Sequence, residues 1–192
     1  MGIVIKHNPC DSMRLTGSFG ADILNGQQRW HDGVDFGALK AGVAGDNIYA
    51  INDGTVRLVK NDINGYGDYI VIEHREFCSL YAHLSKVNVF VGQKVSAGDI
   101  IGLMGFTGLV SPRGQAGTHL HLEIRDCLYY KFWEKSENKY KHAIDPQPLL
   151  SKIKTDREKV QEHFGFDNNT MTYLDKHPHF KDLYMKLSKD YK

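Results

Sequence analysis

The stretch Gly117-Thr118-His119-Leu120-His121-Leu122-Glu123-Ile124-Arg125 alternates polar and apolar residues. That is the period of a strand whose two faces differ. Successive side chains on a strand point to opposite sides. Leu120, Leu122 and Ile124 are therefore expected in a core, with His119, His121, Glu123 and Arg125 on a wet face. Two imidazoles two residues apart on one face stand roughly 7 Å apart at the backbone, for a rise of about 3.3–3.4 Å per residue. One can hold a metal ion while the other reaches a water beside it. An exposed strand that happens to carry two histidines reads equally well, so the rest of the chain decides.

Upstream of this stretch the chain is a series of short β-prone runs punctuated by glycine. Ile48-Tyr49-Ala50-Ile51 and Thr55-Val56-Arg57-Leu58-Val59, joined through Asp53-Gly54, predict a hairpin. Tyr69–His74 and Ser79–Leu84 predict two paired strands, and residues 87–102 two shorter ones between tight glycine turns. His74 is expected to be exposed near a strand end. Such spacing predicts a mostly β fold, an antiparallel β-sandwich or open barrel, over residues 1–150. Tyr129, Tyr130, Phe132, Trp133 and Tyr140 interrupt the pattern among lysines and glutamates. They read either as a cover for one sheet edge or as a wall of a substrate groove. The loops around Leu39–Asn47, Gly105–Gly117 and Cys127–His142 are the expected groove shapers.

From Ser151 the composition turns helical. Asp156–Phe164 reads as a helix capped by Asp156 and ended by Gly165, Met171–His177 as a second, and the segment after Pro178, with Phe180, Leu183, Tyr184 and Leu187, as a third. Residues 151–192 are thus expected to form a small C-terminal helical extension.

Composition excludes some classes. The 192 residues carry a formal net charge of +1, without the basic excess of a nucleic-acid binder. No apolar run approaches the roughly 18–20 residues of a membrane span, so no membrane insertion is expected. Cys10, Cys78 and Cys127 have no short Cys-x-x-Cys spacing and read as free thiols. The N-terminus lacks the apolar h-region of a signal peptide.

His31 with Asp35, His83, and His119 with His121 are the polar pieces a β scaffold can bring together. Two histidines and one carboxylate are a catalytic zinc ligand set that leaves a corner open to solvent. Two further histidines could move a proton and stabilise an oxyanion. Each has a duller reading: His83 as a satisfied core histidine, Asp35 as a turn cap.

In order along residues 14–148, Ser18-Phe19-Gly20, His31-Asp32-Gly33-Val34-Asp35, Ile48-Tyr49-Ala50 with Asp53-Gly54-Thr55-Val56, Gly65–His74, Tyr81-Ala82-His83-Leu84-Ser85, Val91–Val95, Gly98–Gly102, Thr107-Gly108, Thr118–Glu123 and Ile144-Asp145-Pro146 resemble the lysostaphin-type zinc endopeptidases that cut peptidoglycan peptides. The resemblance implies Zn2+ on His31, Asp35 and His121, with His119 as general base on the attacking water and His83 as stabiliser of the oxyanion. It implies a peptidoglycan peptide as substrate and the bacterial cell wall as the place of action. A core that begins almost at Met1 suits a phage lysis or tail (virion) component, or a fragment of a larger secreted chain. The aromatic segment and the helical extension lie outside the family pattern. The alternative is an inactive relative that binds wall or activates an amidase, although no ligand is missing. A phosphocarrier or biotinyl-type domain is suggested by the glycine turns around Gly92 and Gly98, but the chain has no biotin-type Met-Lys-Met, and a phosphocarrier has no use for Asp35.

Overall fold

The computed structural model describes residues 2–24, 26–137, 139–151 and 156–176, with His179, Asp182 and Lys186. Four short strands open the chain: β1 (Arg14–Gly17), β2 (Gly20–Leu24), β3 (Gln27–His31) and β4 (Val34–Gly37). Then come β5 (Asn47–Tyr49), β6 (Gly54–Asp62), β7 (Gly67–Glu73), β8 (Cys78–Val87), β9 (Lys94–Val95), β10 (Ile100–Met104) and β11 (His119–Arg125). Two-residue strands β12 (Lys135–Ser136), β13 (Lys139–Tyr140) and β14 (Ala143–Ile144) lead into the one-turn helix α1 (Gln147–Leu150). The chain divides into two compact units, Met1–Ser151 and Lys152–Lys192.

The first unit is mostly β and antiparallel, as expected. Its described residues form a ten-stranded sheet with the path β1-β4-β11-β8-β7-β6-β9, from which β10 and β5 branch at β8 and β14 at β11. The centre is β7 and β8, whose Tyr69-Ile70-Val71-Ile72 and Cys78–Leu84 are buried on both faces. The branch occurs at one residue. Ser79–Ala82 of β8 pair with β11, whereas Leu84–Val87 pair with β10. His83 sits between them at φ 61°, an unusual conformation for a non-glycine residue. Its backbone N–H leaves the ladder and donates to Tyr66 O at 2.8 Å. The strand turns there and delivers an imidazole at the turn.

Three expectations are corrected. Asp53-Gly54 does not close a hairpin: β5 pairs with β10, and β6 with β7 and β9. A local turn signal is overridden by long-range pairing, in which Ala50 N–H donates to Asp99 O and Gly98 N–H to Ala50 O. His74 is buried, not exposed; its Nδ1–H donates to Asp53 O at 2.8 Å and Nε2 lies 2.8 Å from Ser79 Oγ. Burial pushes its pKa down to about 4. Finally, Glu123 and Arg125 are not wet; they are 1% and 0% exposed. Register supplies the reason. Glu123 faces Leu80 and Arg125 faces Cys78 across β11 and β8, on the side where Tyr69, Val71, Leu80, Ala82 and Phe132 form an apolar cluster. Leu120, Leu122 and Ile124 are fully buried on the other side, as expected.

In the second unit, α2 (Asp156–Phe164) and α3 (Asn168–Asp175) bring Val160 and Met171 together against Phe166 and Leu174. Gly165 ends α2 at φ 65°. Asp167 caps α3 by accepting Thr170 N–H at 2.7 Å, so this helix starts three residues earlier than expected. The capping side chain of Asp156 and the helix after Pro178 lie outside the described residues. Among the described residues, no helix is long and apolar enough to cross a membrane.

Candidate metal centre

Antiparallel register builds the site. β11 lies between β4 and β8, with His121 directly opposite Asp35 on one side and Ala82 on the other. Opposite residues share a face, so the His121 ring and the Asp35 carboxylate meet. His31, at the end of β3, is returned to the same place by the Asp32-Gly33 turn. His31 Nε2, Asp35 Oδ1 and His121 Nδ1 form one cluster. The separations are 3.0 Å between the two nitrogens, 3.2 Å from His31 to Asp35 and 2.9 Å from His121 to Asp35. Donors on a tetrahedral zinc at about 2.0–2.1 Å stand about 3.3 Å apart.

The proton positions strengthen the fit. His31 Nδ1–H donates to Ser18 O at 2.7 Å, and His121 Nε2–H to Glu123 Oε1 at 3.1 Å. Each ring has committed one proton away from the cluster, which leaves lone pairs on His31 Nε2 and His121 Nδ1 facing a carboxylate. Three acceptors converging this closely demand a positive charge among them, from a proton or a metal ion. The same demand shows in the ionisation. Burial raises the Asp35 carboxyl, but the His121 and His31 rings packed against it override this and hold it far below the usual carboxylate range. Burial lowers His121, and the Asp35 and Glu123 carboxylates more than reverse this, raising it above an ordinary histidine.

His119 and His83 stand beside the cluster, 4.6 Å apart by ring centres. His119 Nε2 is 3.7 Å from Asp35 Oδ1, and the His83 ring is 6.0 Å from that of His121. Both are held in one tautomer: His119 Nδ1–H donates to Gly117 O at 2.7 Å and His83 Nδ1–H to Thr107 O at 2.8 Å. Burial lowers both, His83 to about 3 with help from the neighbouring His119 and His121. Both rings are therefore neutral at pH 7 and offer Nε2 as a proton acceptor. All five residues singled out in the sequence come together.

They line an open cleft of about 240 Å³. Its other walls are Arg29, the Asp62-Gly65-Tyr66 turn, and Leu109 and Ser111. Among the described residues, of the three expected groove loops only Gly105–Gly117 contributes, and Phe132 and Tyr140 of the aromatic segment pack on Arg125 instead. Arg29 escaped the sequence reading although a signal existed: it precedes His31 by two residues on β3 and so shares its face. Its guanidinium donates to Asp22 Oδ2 from Nε at 3.0 Å and from Nη2 at 2.8 Å. Tyr66, Glu123 and Arg125 were also missed as parts of the site; Glu123 and Arg125 form a buried ion pair behind His121, and Tyr66, on the cleft wall, donates its O–H to Glu123. Breaking one partner of such a buried ion pair costs about 3–5 kcal/mol.

Gly33 makes the convergence of His31 and His121 possible. A β-carbon there would sit 2.9 Å from His121 Cε1 and 3.0 Å from Glu123 Cγ, and closer still to the Leu122 carbonyl oxygen. Gly33→Ala is expected to overpack this spot by about 1–3 kcal/mol, a Tm loss of roughly 2–12 °C, and to weaken metal binding as His121 is displaced. Thermal melts and a metal titration check both; an unchanged Tm would show that the strands shift freely.

Two histidines and an aspartate around one point, with two neutral imidazoles alongside on an antiparallel β scaffold, form a possible metal site. The chain belongs to peptidase family M23, whose model matches residues 29–146. It is 32% identical over 146 residues to an uncharacterized metalloprotease of Buchnera aphidicola, covering 76% of this chain and 33% of that protein. It is 42% identical over 95 residues to the peptidoglycan DD-endopeptidase ShyA of Vibrio cholerae (49% of this chain, 20% of that one). Over a stretch of the same length it is 40% identical to the murein hydrolase activator NlpD of Escherichia coli (49% and 24%). The chain thus spans a third or less of the length of these relatives. Among solved structures, the catalytic domain of lysostaphin from Staphylococcus simulans matches with a TM-score of 0.57 at 30% identity, over 72% of this chain and 92% of that one. A zinc containing peptidase from Vibrio cholerae matches with 0.54 at 32% (64% and 36%).

Proposed function

We propose that the chain is a zinc-dependent endopeptidase that hydrolyses peptide bonds in the stem peptides or cross-bridges of bacterial peptidoglycan. The observation that carries this reading is the meeting of His31 Nε2, Asp35 Oδ1 and His121 Nδ1, with both imidazole lone pairs turned inward. Their donor types and spacing suit Zn2+, which supplies a Lewis acid for the scissile carbonyl and lowers the pKa of a coordinated water towards about 7.

The chain's own residues supply the proton transfers. His119, neutral and fixed by Gly117 O, presents Nε2 to take the proton of the attacking water and pass it to the leaving amine. His83, fixed by Thr107 O, also presents Nε2. A neutral ring in this tautomer accepts rather than donates. A proton taken up at either Nε2 then becomes the hydrogen-bond donor to the oxyanion. Arg29, held along one edge by Asp22, offers the remaining guanidinium donors to a carboxylate of the wall peptide.

A second reading is favoured by one observation, the 40% identity to a murein hydrolase activator: the chain stimulates another wall hydrolase and cuts nothing itself. Incubating the purified protein with peptidoglycans of defined cross-link, followed by mass spectrometry of the released fragments, separates the two. New amino termini that disappear with a zinc chelator and return with Zn2+ are expected. A zinc-loaded protein that releases nothing, yet accelerates an added amidase, overturns the hydrolase reading.

A further inference from the structure

The described residues of the aromatic segment before Ile144 line no part of the cleft, yet they close over a cation with no exposed surface. The Arg125 guanidinium lies between two rings, its carbon 3.8 Å from the centre of Phe132 and 3.6 Å from that of Tyr140. Its edge is taken up by Glu123 Oε2, through Nε at 2.8 Å and through Nη2, and by the Phe132 carbonyl oxygen. The other Glu123 oxygen, Oε1, accepts Tyr66 O–H at 2.6 Å and His121 Nε2–H. Contacts therefore run from Phe132 and Tyr140 through Arg125 and Glu123 to a donor of the metal cluster. The segment is tied to the cluster a second time, because Tyr140 N–H donates to Asp32 Oδ1 at 3.0 Å, beside His31.

We propose that Glu123, Arg125 and the Phe132–Tyr140 clamp are positioning residues for the metal centre, which fix the His121 ring and keep its lone pair on Nδ1. The inference rests on reading His31, Asp35 and His121 as metal ligands, and not on peptide hydrolysis. An imidazole that binds metal through Nδ1 must carry its proton on Nε2, and an acceptor there sets both tautomer and ring plane. A carboxylate is a strong acceptor but stays ionised when buried only beside a compensating cation. Arg125 is that cation. It is shielded from solvent, and the two ring faces supply the electrostatic surface instead. Stability alone does not explain the arrangement, since apolar side chains of similar volume commonly hold a core as well as a buried ion pair.

The test compares wild type with Glu123→Gln, Tyr140→Leu and Tyr140→Phe. The readouts are Zn2+ affinity by competition with a chromophoric chelator, the visible absorption bands of the Co2+-loaded protein, and Tm. Glu123→Gln is expected to weaken Zn2+ binding about 10–100-fold, the usual cost of losing an outer partner of a metal-binding histidine, and to alter the Co2+ bands. Tyr140→Leu, which opens one face of Arg125, is expected to change affinity and bands in the same direction, and Tyr140→Phe, which keeps the ring, to restore both. Should Glu123→Gln fail to fold, the tyrosine pair carries the comparison. Variants that lose Tm but bind Zn2+ like wild type, with unaltered Co2+ bands, overturn the inference and leave the metal site standing. Wild-type protein that takes up no Zn2+ overturns both.

Discussion

Asp35→Ala is expected to emerge from purification without stoichiometric zinc and without measurable wall hydrolysis. The carboxylate is the anionic member of the cluster and touches both other donors, at 2.9 and 3.2 Å. Without it, two neutral imidazoles must hold a dication alone. Affinity should fall by more than the roughly 10–100-fold that outer-sphere changes cost. The fold should survive, because β4 keeps its ladders with β1 and β11, and those run through backbone groups. Gly17, opposite Asp35 on β1, already leaves room on that side: a β-carbon there would overlap Asp35 Oδ2. Elemental analysis, a metal titration and circular dichroism decide the matter together. A folded Asp35→Ala protein with a full complement of tightly held zinc would remove the carboxylate from the ligand set.

The shared face of His119 and His121 was legible in the sequence because strand periodicity is local, whereas His31, Asp35 and His121 were singled out as a donor set by the family resemblance. His119 and His121 share a face by counting alone, and the inward turn of Leu120, Leu122 and Ile124 follows from the same count. What alternation reports, however, is that two faces differ in chemistry, not that one is wet. Arg125 is covered by Phe132 and Tyr140, and only tertiary folding brings those rings over the strand. His74 was misread for a related reason: its partners, Ser79 on β8 and the Asp53 carbonyl in the bend before β6, come from other segments. The Asp53-Gly54 turn signal was real chemistry in the wrong context, because Ile48 found its ladder partner at Gly102. The aromatic segment posed the hardest problem. Its rings read as an edge cover or a groove wall; Phe132 does cover the sheet, packed with Tyr69, Val71 and Leu80, and together with Tyr140 it also encloses a guanidinium that itself braces a histidine. No periodicity encodes a cation–π enclosure between segments that join only in three dimensions.

His119→Ala is expected to retain zinc and to lose turnover by about 10²–10⁴-fold, the span of a general base. Its Nε2 lies outside the tight cluster, 3.7 Å from Asp35 Oδ1, so its removal leaves the three donors and their outer hydrogen bonds in place. The alanine also removes a ring that contacts His83, which makes the paired variant informative. His83→Ala should keep zinc as well. Its backbone N–H still reaches Tyr66 O, but alanine must adopt the left-handed conformation at φ 61° and accept its strain. A lower Tm is therefore expected for His83→Ala and not for His119→Ala. If both rings serve one proton path, the double variant will be hardly slower than the worse single one, since groups that act as a unit are not additive. Losses that multiply would instead assign them separate tasks, one on the attacking water and one on the oxyanion. Wild-type turnover in zinc-loaded His119→Ala would exclude His119 as the base and shift that role to His83, whose Nε2 is held in the same acceptor form.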